Sequence, residues 1–129
     1  MKTVSVTWIV VGCALLLARP AFGHHGAAAF DMTKPLTLRA TVTEFRFANP
    51  HAQIFFEAGD SDGKILQWTA EATGPNALRS LGWSKDIIKP GDHITIIGNR
   101  AKNGSTSLHL RKVILSGGRV LDPGGEPPH

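Results

Sequence analysis

Cysteine is almost missing from this chain. Its one cysteine, Cys13, lies within an apolar N-terminal run, so a product cleaved after that run has neither thiol chemistry nor a disulfide. Long apolar stretches are just as scarce. Residues 4–17 are almost continuously apolar, but such a run, roughly 14 residues long, is short for crossing a bilayer. No later segment is apolar enough to serve as a second span. Signs of catalysis are also lacking. Ser61, Ser80, Ser84, Ser105 and Ser116 have no nucleophile motif around them, and the acids are scattered through turns. Gly117-Gly118 does not join a strand to a helix as a phosphate cradle would. These absences point to a non-enzymatic protein.

What is present at the N-terminus reads as a secretory signal. Lys2 precedes the apolar run, Pro20 follows it, and Ala21-Phe22-Gly23 offers a small-x-small cleavage site. Val10-Val11-Gly12-Cys13 faintly resembles a lipoprotein signal, yet the apolar run continues to Leu17, where such a signal turns polar. Residues 1–23 are therefore expected to be a cleaved signal peptide, with the product in the periplasm. That segment carries Lys2 and Arg19 and no acid, so its loss lowers the formal charge from +4 to +2. A chain so close to neutral has no electrostatic footprint for nucleic acid. About 106 residues remain, enough to bury a core without covalent staples.

Cleavage would make His24 the first residue, followed at once by His25. An α-amine beside two imidazoles is a nitrogen-rich donor set, and nitrogen donors favour Cu(II), which also heads the divalent affinity order. Residues 24–34 read as a flexible arm, with Phe30 as its anchor on the body. Residues 35–121 read as one β domain. Leu36, Leu38, Ala40 and Val42 alternate with polar residues, then the phase flips at Glu44 and continues through Phe45 and Phe47. Such a slip predicts a β-bulge in a long first strand. Asn49-Pro50 marks a corner, and alternation over residues 51–58 and 65–70 gives two more strands around the turn Asp60-Ser61-Asp62-Gly63. Gly74-Pro75-Asn76 opens a short helix that ends at Gly82, with Trp83 and Ile87-Ile88 packing it over one end of the sheet. Turns at Pro90-Gly91-Asp92 and Asn103-Gly104-Ser105 bound two final strands, and residues 122–129 read as a disordered tail.

The order β-β-β-α-β-β defines an all-β class with one short helix, a small five-stranded OB-fold-like barrel. His51, His93 and His109 lie opposite the more apolar faces of their strands, outside the core or at its mouth. His51 is the body-derived donor expected to complete a metal site with His24 and His25. Glu71, following strand three, is expected to cap or line the mouth. An alternative reading is a metal-free module whose face around Trp68, Phe55 and Gln53 holds a peptide, a glycan or a partner protein. Against it, Trp68 shares its side of the strand with Leu66 and Ala70, the pattern of core packing.

The chain also resembles an uncharacterised family of small exported bacterial proteins. The resemblance rests on His24-His25, Phe30-Asp31, Asn49-Pro50-His51, Pro75-Asn76-Ala77-Leu78, Gly82-Trp83, Pro90-Gly91-Asp92 and Asn103-Gly104-Ser105. It covers nearly the whole chain after residue 23 and implies export and fold rather than an activity. Two positions depart from the pattern: Gly26 stands where Ser is expected, and Ala52-Gln53 where an aromatic is frequent.

Overall fold

A computed structural model describes residues 27–124. The expected signal segment, together with His24 and His25, lies outside the described residues. A 3-10 turn at Ala27–Ala29 leads directly into β1 (Phe30–Arg46), and β2 (Gln53–Gly59) and β3 (Ile65–Glu71) follow. Helix α1 (Pro75–Ser80) separates these from β4 (His93–Ala101) and β5 (Ser107–Ile114), and a two-residue β6 (Val120–Leu121) ends the sheet.

The ring is organised by β1, which is long enough to serve two neighbours. Its first part pairs antiparallel with β4 and its second part with β2. The pairing with β2 slips between Val42 and Glu44, so Thr43 is the bulged residue behind the phase flip of the sequence. β3 pairs antiparallel with β2 and parallel with β5, through Thr69↔Ser107, Ala70↔Leu108 and Glu71↔His109. That parallel pair closes a five-stranded ring in the order β1-β2-β3-β5-β4, with β6 appended to β5. The expected all-β barrel with a single short helix is what the chain forms.

Alternation decides what fills the ring. Ala40, Val42, Ile54, Phe56, Trp68, Ala70, Ile94, Ile96, Leu108 and Leu110 are buried, while the residues between them are largely polar. Each buried Ile, Leu or Phe contributes about 1.5–3 kcal/mol. Leu78 from α1, Trp83 and Ile88 seal the end of this core, as their spacing after Gly74 predicts. Pro75 occupies the first turn of α1, where its missing N–H costs nothing. At the other end Gly82 takes φ +88°, and the amides of Gly82 and Trp83 return to the carbonyls of Arg79 and Leu78.

Two boundaries differ from the sequence reading. β1 starts at Phe30, five residues before Pro35, because side-chain and turn bonds extend the ladder there. Asn99 Nδ2 donates to the Asp31 carbonyl, and the Lys102 amide donates to that of Ala29. Residues 27–34 are thus tied to the barrel rather than free. At the C-terminal side, the Asp122 carbonyl accepts the Trp83 indole N–H at 2.8 Å, which holds the chain to the body past β6. Residues 125–129 lie outside the described residues.

Candidate functional site

His51 owes its position to the strand ladder around it. β2 and β3 pair Gln53 with Glu71, and the Ala52 amide continues the ladder by donating to Thr73 O at 3.1 Å. Ala52 points into the core, 1% exposed, so its neighbour His51 faces outward. There the ring Nδ1 meets Glu71 Oε1. A carboxylate only accepts, so Nδ1 is the donor in this pair and Nε2 is the ring nitrogen turned away from Glu71.

His109 reaches the same place from β5. Paired residues of adjacent strands project to the same side of a sheet, so the Glu71↔His109 register sets these two side chains next to each other. The ring of Phe30 packs against His109 at a centroid distance of 5.7 Å, tilted by 44°. Burial lowers the His109 pKa from its ordinary value, and Arg111 lowers it further. Glu71 opposes that shift and His51 adds slightly to it. His109 is accordingly a neutral imidazole at neutral pH, the form in which histidine binds metals.

Phe30, His51, Glu71 and His109 line one pocket of about 470 Å³, floored by Leu110 and walled by Leu81 from the end of α1. Two imidazoles and one carboxylate therefore face a largely apolar hollow at the mouth expected for Glu71. Among the described residues, no three His, Cys, Asp or Glu side chains are grouped so as to hold a metal ion by themselves.

Of the sequence-derived candidates, His51 lines this pocket, as does Phe30, the expected anchor of the arm, while His24 and His25 lie outside the described residues. His93 is elsewhere: it bonds Thr41 Oγ1 at 3.2 Å and lines a separate pocket with Arg39 and Ser116. The face proposed around Trp68, Phe55 and Gln53 needs correcting, because these residues do not share a surface. Trp68 is 5% exposed and stacks on Phe56 inside the barrel, whereas Phe55 and Gln53 belong to the opposite, outward set of β2. Arg46 covers the Phe55 ring at 4.7 Å, and Arg100 covers Trp68 at 5.1 Å. Sequence reasoning treated His109 as one surface histidine among three. What it missed is the parallel β3–β5 pairing, a contact between strands with a helix and another strand between them in the chain.

The chain belongs to a family of unknown function (DUF6152), whose model matches residues 13–109. No curated protein and no solved structure matches it.

Proposed function

For a member of a family whose description assigns no activity, the site carries the functional reading, and we propose that this is an exported, non-enzymatic periplasmic protein that binds a transition-metal ion, copper first among them. The donors are the mature N-terminus, with His24 and His25, and His51 from the barrel. One observation supports this above the others: the arm's anchor, Phe30, is seated in the same pocket that His51 lines. His51 also has the outer-sphere partner that metal-binding histidines use, a carboxylate on the ring nitrogen turned away from the ion. A nitrogen-only donor set selects Cu(II) over the oxygen-seeking Mg²⁺ and Ca²⁺.

Cu(II) titration of protein beginning at His24 tests the reading. One extra residue ahead of His24 removes the α-amine from chelating reach, and His25→Ala removes an imidazole. Each change should weaken binding at least about tenfold, the scale on which even supporting groups of a metal site act. Unchanged affinity in both would sink the proposal. The metal-free alternative predicts instead that a partner is retained from periplasmic extract whether or not a chelator is present.

A further inference from the structure

We infer that the pocket between β3, β5 and α1 binds a small, uncharged hydroxyaromatic molecule, a phenol in chemical class. Its ring rests against Phe30 and Leu81, and its hydroxyl meets His51, Glu71 and His109. This site goes beyond the metal-binding reading and needs no ion.

The hollow lies where the barrel wall opens. The parallel pairing of β3 with β5 stops at Glu71↔His109. Past that point the chain after β3 turns into α1, while β5 runs on to pair with β6. The gap has a volume of about 470 Å³, within the range of roughly 300–1,000 Å³ of small-molecule sites.

Its lining is divided by origin. The strands bring the polar groups: Glu71 and His109 are register partners, and His51 donates to Glu71 through Nδ1. Helix α1 and the segment past β6 bring Ala77, Leu81 and Pro123, over a floor formed by Leu110. Phe30 packs against the His109 ring at 5.7 Å. An apolar hollow with a few convergent polar groups is the usual make-up of a ligand site. Leu81 points the same way. It is one of three large apolar side chains left exposed among the described residues, at 48%, and a ring seated beside it would take that surface out of water.

Charge narrows the class. Among the described residues lining the pocket, Glu71 is the one carboxylate, and there is no Lys or Arg. An anionic ligand would meet that carboxylate with no cation to offset the repulsion. An ammonium group would have to share Glu71 with His51, which already holds Oε1. A hydroxyl needs no counter-charge. It donates to a carboxylate or an imidazole nitrogen and accepts from an imidazole N–H, so both of its roles are answered here. An aromatic body suits the walls better than an alkyl chain, because it pairs with Phe30 as a second ring.

The test uses protein beginning at His24 in excess chelator, with 4-methylphenol as the probe and amide and imidazole chemical shifts as the readout. Saturable shifts are expected at Glu71, Leu81 and His109, with none around His93 in its separate pocket. Benzylamine, which replaces the hydroxyl by a cation, should bind more weakly, and benzoate should not bind. Ala77→Leu places a larger side chain on the exposed helix position that lines the pocket. It should weaken 4-methylphenol at least about tenfold while urea unfolding shows the fold intact. The probe series in unmodified protein needs no variant. Absence of saturable shifts at Glu71 and His109, equal shifts around His93, or full affinity in Ala77→Leu overturns the inference. Tighter binding of benzylamine or benzoate than of 4-methylphenol overturns the class. Cu(II) retention is measured without the phenol, so the metal-binding reading stands or falls separately.

Discussion

Asn99 joins the start of the chain to the barrel wall, donating from Nδ2 to the Asp31 carbonyl at 2.8 Å across 68 residues of sequence. It is the only fully buried polar side chain among the described residues, and its Oδ1 accepts from Arg111 Nη1 at 3.3 Å. Both ends of its amide are therefore in use, as burial of a polar group demands. Asn99→Ala leaves the Asp31 carbonyl and the Arg111 guanidinium without this partner. The expected loss is about 1–3 kcal/mol in urea unfolding. Amide exchange should also rise locally at Phe30 and Ala101, the pair that continues the ladder beyond Asn99.

Gly74 sets how closely helix α1 approaches the corner that carries His51. A Cβ added there would lie 2.8 Å from the Pro50 carbonyl oxygen, a backbone atom with little freedom to yield. Gly74 has φ −71°, so the objection to a larger residue is proximity rather than backbone strain. Gly74→Ala is expected to cost about 1–3 kcal/mol through this overpacking. It should also displace Pro50 and so perturb the His51 ring signals, which Lys85→Gln, exposed beyond α1 and outside the His51 pocket, should leave in place. Denaturant titration alongside imidazole chemical shifts checks both halves of the expectation.

The sequence carried the local features well. The bulge at Thr43, the helix after Gly74 and the sealing role of Trp83 follow from alternation, turn residues and spacing, each confined to a short window. What escaped was long-range. Glu71 and His109 are 38 positions apart, and only closure of the barrel makes them neighbours. Their strands each show ordinary two-residue periodicity, which reveals the face a residue occupies but not the strand beside it. Trp68 shows the converse. Its alternation with Leu66 and Ala70 already placed it inside, and a binding face shared with Phe55 and Gln53 conflicted with the periodicity of both strands. The extension of β1 to Phe30 was hidden for a similar reason, since it depends on a side-chain bond from Asn99 rather than on any strand pattern in residues 30–34.

Trp83 ties the end of the β sheet to the helix side of the core. Its indole N–H donates to the Asp122 carbonyl, while its ring packs 6.2 Å from Phe45. Trp83→Phe keeps an aromatic ring in the core but removes the donor. A stability loss of about 1–3 kcal/mol is expected from the bond and the smaller ring together. Truncation after Leu121 removes the same acceptor. The two changes should therefore be less than additive, with a coupling of about 1 kcal/mol in a double-mutant cycle. Full additivity would mean that the bond to Asp122 contributes nothing.

The His109 imidazole should report its surroundings directly in metal-free protein. Burial is the largest influence and Arg111 the next, both disfavouring the charged ring, while Glu71 works the other way. Its titration, followed by the ring proton shifts, should fall below the ordinary histidine value of about 6.5. Glu71→Gln removes the opposing negative charge and should lower it further. The sign for stability follows from the same shift. A histidine whose folded pKa is depressed contributes fully above the unfolded value. That contribution is lost as pH falls from about 6.5 through the folded pKa, because the unfolded chain takes up the proton first. Unmodified protein should therefore lose more stability than His109→Gln across this window, measured by urea unfolding at successive pH values. Equal losses in the two proteins would place His109 in solvent and remove it from the pocket it lines with His51.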